Sequence, residues 1–347
     1  MAAARALRDG LRRVNGAPAV LAGLFVLTLL VAIPLAVALA GMIEMHLGAS
    51  LAAERAASGV DYDWWQEFSE QASGLGTTFG PTIIGFGAVL ENLSNLLDNA
   101  PLAPAIAGAT AAWMVLWSFL SGGVLDRYAR NRPTRAAGFF AACGLHFWRF
   151  VRIGIVAWLA YAALFGWVHG WLFEDFYRWA TRDLTVERTA FALRAACYLL
   201  FGILLAGCSL VFDYARIRLV VEDRRSAVGA ILAALRFVRR EPGTLTLYAL
   251  NSALFLALVF VYGVTGRGAT GSGAGLAAAL LWGQLFILGR HYLKLLFYAS
   301  QVSLFQSALA HADYTAAPAL VWPDSPAAEA ILNAEPAVPY TSRARAI

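Results

Sequence analysis

Six long apolar windows dominate this sequence and restrict the folds that it can adopt. Each is long enough to cross a hydrocarbon core of about 30 Å, which takes about 20 residues of α-helix. Charged residues make up only 14% of the chain, compared with roughly 25% in soluble domains. The windows are continuous rather than alternating, so they favour helices over the strands of a membrane barrel. We therefore predict an all-α, polytopic integral membrane protein with six transmembrane helices, over 17–43, 104–123, 153–173, 195–213, 245–265 and 275–298.

The distribution of Lys and Arg predicts the orientation of these helices, because cytoplasmic loops retain basic residues. Most of the 27 basic residues fall in the N-terminal segment, in 126–152, in 213–243 and from residue 290 onward. The loop 44–104 instead carries eight acidic residues against the single basic residue Arg55. We therefore expect both termini in the cytoplasm, in a bacterial inner membrane. Attraction of the basic residues to anionic inner-leaflet lipid then explains the net charge of +5, and it does not suggest binding of nucleic acid.

The windows and charges divide the chain into three parts. Residues 1–16 are expected to form a cytoplasmic amphipathic elbow, and 17–311 a six-helix membrane domain with the acidic external insertion 44–104. The Pro- and Ala-rich tail 312–347 is expected to be cytoplasmic and disordered. The first window could instead be a signal peptide, since it ends in the small-residue sequence AVALAG. Its apolar core exceeds the roughly 7–15 residues usual for such peptides, so we expect it to be retained.

Two short boxes recur three times along the chain. DRYAR, FDYAR and FYAS place Tyr128, Tyr214 and Tyr298 after the second, fourth and sixth windows, at spacings of 86 and 84 residues. LRRV, WRFV and LRFV precede the first, third and fifth windows. Order and spacing predict three parallel-repeated hairpins, each preceded by a basic amphipathic elbow helix. Chance matching in a chain rich in Ala, Leu and Arg is the alternative.

The elbow before the fifth window has the clearest pattern. In SAVGAILAALRFVRR, an apolar stripe holds Val228, Ile231 and Leu235 while the arginines lie off it. Such helices lie in the membrane interface with the apolar face down, and the alternative is that they pack as ordinary protein helices. The arginines expected to contact inner-leaflet phosphates are Arg149, Arg152, Arg236, Arg239 and Arg240.

The external insertion predicts two helices. DYDWWQEFSEQA places Tyr62, Trp65 and Phe68 on one stripe, which is typical of a helix at the outer membrane surface. TIIGFGAVLENLSNLLDN is too polar to cross lipid alone, and we expect it to pack over the bundle or against another copy in an oligomer. The alternative is that 61–98 is a docking face for a membrane or periplasmic protein partner, or for a cation.

The last window contains basic residues at an unusual depth. Arg290, His291 and Lys294 lie among apolar residues, and Arg290 is eight residues before Tyr298, or about 12 Å deeper in the membrane. Three explanations compete: the side chains reach the headgroups, they form an ion pair, or they line a polar cavity that binds an anionic group. The groups at a suitable depth or in the boxes that could complete such a cluster are Asn251, Asp126 and Asp213.

Signatures of covalent chemistry are weak in this sequence. HExxH, GxSxG, phosphate-loop and zinc-ligand spacings do not occur, so we expect no metal and no cofactor. Cys143, Cys197 and Cys208 are read as small buried hydrophobic residues. GRGATG matches the dinucleotide fingerprint as a string, but it follows no strand. Enzymatic activity is therefore not expected, although the basic cluster leaves the question open.

The overall plan resembles uncharacterised bacterial six-helix membrane families related to the membrane domain of some glycerophosphodiester phosphodiesterases. The resemblance rests on Gly122–Gly123 at the end of a window, on FDYAR…VVED and on the basic elbows. It covers about residues 105–310. The long acidic insertion departs from it and the phosphodiesterase domain is not found in this sequence, so the resemblance implies no catalytic residue.

These observations favour a protein that scaffolds a membrane partner or handles anionic lipid without covalent chemistry of its own. The main alternative is a permease or channel with a cytoplasm-facing polar cavity, followed by an intramembrane enzyme. A cavity open to one leaflet would favour lipid handling, and a polar layer across the whole bilayer would favour a permease. A carboxylate beside His291 would favour an enzyme.

Overall fold

The computed structural model is all-helical over the part of the chain that it describes, residues 2–48, 50–58, 61–80, 86–102, 104–266 and 273–311. The predicted tail 312–347 lies outside these residues. The helix Ala136–Ala163 continues through two π-helical stretches, Leu164–Val168 and Trp171–Phe176, into the helix Tyr177–Thr181. In chain order the helices are α1 (Ala2–Asn15), α2 (Pro18–Leu47), α3 (Ala53–Ser58), α4 (Tyr62–Gln71), α5 (Phe86–Leu97), α6 (Pro104–Arg130), α7 (Ala136–Ala163), α8 (Tyr177–Thr181), α9 (Glu187–Val221), α10 (Ala227–Arg240), α11 (Gly243–Thr265) and α12 (Ala274–His311).

Five helices within the described residues are long and apolar enough to cross a membrane, which makes this chain a multi-pass membrane protein. They are Pro18–Leu47, Pro104–Arg130, Ala136–Thr181, Glu187–Val221 and Gly243–Thr265. The sixth predicted window lies in α12, which contains Gln284, Arg290, His291 and Lys294 and is not among these five candidate spans. The structure thus shows five candidate spans, and the sixth stays a prediction.

The packed core lies at one end of the bundle, where the C-terminal parts of α6, α9 and α12 meet. Tyr128, Tyr214 and Tyr298 are all buried there and belong to one cluster, and this end of the bundle is called the tyrosine end below. The apolar windows of the five candidate spans are themselves at most 22% buried. Side chains such as Leu30 and Leu256 are more than 60% exposed, as expected for helices surrounded by lipid.

Helix α1 packs directly on α12 at the tyrosine end. Its buried residues are small, and a Cβ on Gly10 would lie 2.8 Å from the backbone of Ser300. Arg13 extends the contact, because its Nη1 donates hydrogen bonds to the Tyr128 carbonyl oxygen at 2.7 Å and to Gln306 at 2.9 Å. The first elbow therefore packs as an ordinary protein helix.

Helix α10 is separate from α11, as predicted, because Glu241 is extended and Pro242 begins the next segment. An alanine face of α10 is buried in the bundle, whereas Val228 is 59% and Leu232 is 52% exposed. The box WRFV, in contrast, lies inside the continuous helix α7 and forms no separate elbow helix. The segment 136–163 contains no proline to break it, and the threefold repeat stays a prediction.

The insertion packs on the bundle at two places. Trp64 and Phe68 of α4 are buried against the end of α2, and the Trp64 indole donates a hydrogen bond to His46 at 3.0 Å. Tyr62 is 61% exposed, and contact of the predicted stripe with the outer membrane surface stays a prediction. Helix α5 lies against α9 and α11, which agrees with the expectation that it packs over the bundle.

Candidate functional site

A cavity of about 390 Å³ lies between α6, α9, α11 and α12 near the tyrosine end. It is called the polar cavity below because three basic groups, one carboxylate and three hydroxyls line it. Its lining residues are Trp117, Ser209, Asp213, Arg216, Tyr248, Phe255, Arg290, Leu293, Lys294, Phe297 and Tyr298. Spacing along two helices explains this arrangement: Asp213 and Arg216 are one turn apart on α9, and Arg290 and Lys294 are one turn apart on α12.

Lys294 is held inside the bundle by an aromatic ring. Its Nζ lies 3.7 Å from the centroid of the Trp117 ring, which is a close cation–π contact. Trp117 in turn stacks on Tyr298, with 5.8 Å between ring centroids and an interplanar angle of 10°. Lys294 therefore points at the α6 wall of the cavity in this structure rather than reaching along α12 to the headgroups.

Asp213 and Arg216 form a loose ion pair beside this ring stack. The closest nitrogen–oxygen distance is 3.6 Å, and Arg216 also donates a hydrogen bond to the Tyr298 hydroxyl at 3.4 Å. Gln301 donates to Asp213 at 3.5 Å. All three distances are long for charge-assisted contacts, which are about 2.7–2.9 Å when tight. The carboxylate thus compensates the positive charge of the cavity only weakly.

Arg290 stands at the rim of the polar cavity. Its guanidinium carbon lies 5.9 Å from the centroid of the Phe286 ring, and Arg290 as a whole is exposed. It forms no ion pair within the described residues. Asp126, Asp213 and Asn251 were the predicted protein partners. None of them bonds to Arg290 in the structure, so a bound anion is the remaining predicted partner.

Three predicted members of the cluster lie elsewhere. His291 points toward α2, where its Nε2 lies 3.0 Å from Thr28 Oγ1. Asn251 donates a hydrogen bond to Ser300 Oγ at 3.0 Å in the α11–α12 contact. Asp126 pairs with Arg130 on its own helix at 2.8 Å. The structure thus brings together Arg290, Lys294 and Asp213, and separates them from His291, Asn251 and Asp126.

The sequence alone did not reveal the other members of the cavity. Arg216 was visible in the FDYAR box, three residues after Asp213 and on the same helical face. Trp117 gave no signal, because a tryptophan inside an apolar window is typical of any membrane helix. Its role depends on the packing of α6 against α12, which a linear pattern does not encode.

The arginines predicted to contact lipid phosphate have different surroundings. Arg149 forms an ion pair with Asp223 after α9, whereas Arg152 is exposed on α7. Exposed residues Arg236, Arg239 and Arg240 lie on the C-terminal half of α10. The described residues contain no group of three or more His, Cys, Asp or Glu side chains that could hold a metal ion.

A polar contact ties the insertion to α9. The Tyr198 hydroxyl donates a hydrogen bond to Asp98 just after α5, and Ser94 donates another at 2.8 Å. These two bonds hold the pKa of the Asp98 carboxyl below its usual value. Asn99 adds a bond to the Phe165 carbonyl oxygen at 3.3 Å. The segment that follows α5 is therefore hydrogen-bonded to the bundle through a carboxyl group whose ionised form these contacts favour.

Similarity to known proteins does not assign this site. No protein-family model, curated protein or solved structure matches the chain. The resemblance to six-helix membrane families stays a prediction. Five long apolar helices define the class, a multi-pass membrane protein.

Proposed function

We propose that this protein binds the anionic headgroup of a membrane lipid in the polar cavity, without covalent chemistry of its own. The observation that carries the proposal is the charge of the cavity lining. Arg216, Arg290 and Lys294 contribute positive charge, and Asp213 is the single carboxylate in the same lining. Charged groups within a membrane domain are costly unless paired or hydrated, and the loose contact of Asp213 leaves positive charge uncompensated. A lipid phosphate supplies the missing negative charge and accepts the hydrogen bonds of a guanidinium.

The length of the polar lining supports a lipid site over a continuous pathway. On α12 the lining runs from Arg290 to Tyr298, which is about 12 Å at the rise of an α-helix. This is less than half of a hydrocarbon core of about 30 Å. On the far side of Arg290, Tyr262 stacks on Phe286 with ring centroids 4.1 Å apart. These features favour a cavity that serves one leaflet over a permease or channel, and the contact of His291 with Thr28 gives an enzyme no support.

We also propose that the protein lies in the bacterial inner membrane with a defined orientation. Six spans with both termini in the cytoplasm would place the polar cavity in the inner leaflet, where anionic lipids attract basic residues. In that arrangement residues 61–98 lie outside and are available to a membrane or periplasmic protein partner. The exposed aliphatic face of α10 and its arginines would then lie in the inner interface.

Native mass spectrometry of the purified protein with added phosphatidylglycerol tests this function. Arg290→Ala removes a basic group that has no protein ion pair, so we expect about tenfold weaker lipid binding with little loss of stability. Lys294→Ala should also weaken binding and should lower the melting temperature, since it removes the contact with Trp117.

Arg182→Ala is the matched control, because Arg182 is exposed and pairs with its neighbour Asp183 outside the cavity. It should bind lipid like the wild-type protein. Equal binding by all variants, or equally tight binding of phosphatidylcholine, would exclude the polar cavity as an anionic-lipid site.

A further inference from the structure

A second cavity of about 390 Å³ lies between α2, α6 and the start of α7. Its lining is mostly apolar, and the cavity is called the Arg127 slot below, after the one charged residue in that lining. Trp117 is the only lining residue that it shares with the polar cavity. Its lining residues are Gly16, Ala17, Pro18, Ala19, Val20, Gly23, Leu24, Leu27, Trp117, Leu120, Val124, Arg127, Pro133, Thr134, Ala136, Phe139 and Phe140.

The slot is elongated along the helices. On α6 its lining runs from Arg127 to Trp117, ten residues or about 15 Å at the rise of an α-helix. On α2 it runs over a similar length, from Pro18 to Leu27. The wall between these ends is aliphatic and aromatic, and the volume falls within the roughly 300–1,000 Å³ of known ligand cavities. An extended hydrocarbon chain fits this shape.

One end of the slot carries a buried positive charge. Arg127 is only 7% exposed, and its Nη2 donates a hydrogen bond to the Gly16 carbonyl oxygen at 2.9 Å. Its Nη1 is buried with no hydrogen-bond partner in the described structure, and no described carboxylate forms an ion pair with it. The neighbouring Arg130 and Arg13 do form such pairs, with Asp126 and Asp9. A buried, uncompensated guanidinium indicates a site for an anion.

Two helix N-termini meet at the same end. Pro18 is the first residue of α2 and Ala136 is the first residue of α7, and both line the slot. Neither helix has a side-chain cap hydrogen bond at its N-terminus. Backbone N–H groups and the helix dipole favour a phosphate or carboxylate at such positions. Charge and backbone thus favour an anion at the same end of the apolar slot.

We propose that the Arg127 slot binds one acyl chain of an anionic phospholipid, with the lipid phosphate on Arg127 between the two helix N-termini. Exposed residues Pro18, Ala19 and Phe140 form part of the lining, so the slot opens at the surface of the bundle. The second acyl chain therefore remains in the bilayer. Apart from Trp117, this site uses other residues than the proposed headgroup site in the polar cavity, and it stands if that proposal fails.

Titration of the delipidated full-length protein with dioleoylphosphatidylglycerol, followed by native mass spectrometry, tests the slot. Arg127→Gln removes the charge, and Gly23→Leu fills the slot from a position where an added Cβ meets no atom within 4 Å. We expect each to weaken binding of one lipid by about tenfold. Arg130→Gln and Gly41→Leu are the matched controls, since Gly41 lies on the same helix with equally open space. The controls should bind like the wild-type protein.

Three further ligands identify the chemistry. Dioleoylphosphatidylcholine should bind at least about tenfold more weakly, because it carries no net negative charge. Glycerol 3-phosphate should not displace the lipid, since it has no acyl chain. Oleate that binds while phosphatidylglycerol does not would make the slot a fatty-acid site and overturn the phospholipid assignment. Equal binding of phosphatidylcholine, or displacement by glycerol 3-phosphate, would also overturn the proposal.

The number of bound lipids separates the two sites. If both exist, the wild-type protein retains two anionic lipids, and Arg127→Gln and the double variant Arg290→Ala, Lys294→Ala each retain one. A lipid lost only in the double variant would belong to the polar cavity and would overturn the slot. If Arg127→Gln does not fold, Gly23→Leu decides alone: normal binding of phosphatidylglycerol by folded Gly23→Leu protein refutes the proposal.

Discussion

Gly123 lies where α6 and α7 approach closely. An added Cβ would come within 2.6 Å of Cys143 Sγ and 2.8 Å of Phe139. We expect Gly123→Ala to lower the free energy of unfolding by about 1–3 kcal/mol, because overpacking forces both helices to shift. Gly138→Ala on α7 is the control, since nothing lies within 4 Å of its Cβ position. Thermal unfolding in detergent measures both, and equal melting temperatures would contradict the close contact.

The charged residues of the cavities were recognisable in the sequence, but most of their contact partners were not. Arg290 and Lys294 are conspicuous because charged residues are rare in an apolar window, and both do line one cavity. His291 is equally conspicuous, but the helical turn directs it to Thr28 on α2 instead. Arg127 lies in a box that the sequence singled out, yet its unpaired charge appears only once α1, α2 and α6 are packed.

The contact between the insertion and α9 should depend on pH, and with it the stability of helix α5. Because the folded pKa of Asp98 is lowered, its hydrogen bonds stabilise the contact fully above the unfolded pKa of about 4 and lose this effect as the pH falls through the folded value. Acidification should therefore lower the protection of the Phe86–Leu97 amides, measured as their exchange rate relative to the intrinsic rate at each pH. Asp98→Asn should show faster exchange already at neutral pH. Exchange in α5 that is identical in both proteins at every pH would show that Asp98 does not hold this helix.

Helix boundaries were predictable where the chain contains a breaker. Pro18 and Pro242 follow α1 and α10, and both elbows are separate helices as the pattern indicated. The WRFV box has similar composition but no proline after it, and it continues into a span. In α4 the burial of Trp64 beside His46 was not predictable, because it depends on the end of α2 rather than on the period of α4 itself.

The arrangement across the membrane is the prediction that concerns the whole molecule. Reporter fusions after Gly76 and Arg267 should give external signals, and fusions after Arg135, Arg225 and Ala328 should give cytoplasmic signals. The physical reason is the retention of arginine-rich loops on the cytoplasmic side. Paired phosphatase and fluorescent-protein fusions at each position provide internal controls. A cytoplasmic signal at Gly76 would reverse the assignment of the acidic insertion and the leaflet proposed for the polar cavity.

The contact between α1 and α12 has a consequence for biosynthesis. Gly10 fits against Ser300, and Arg13 bonds to Gln306, a residue 293 positions further along the chain. A ribosome releases α12 only after α1 to α11 have been made, so α1 lacks its main neighbour while those helices are synthesised. The apolar spans can enter lipid one after another in that time, because each satisfies its own backbone hydrogen bonds. The tyrosine end can therefore close only after α12 has met α1.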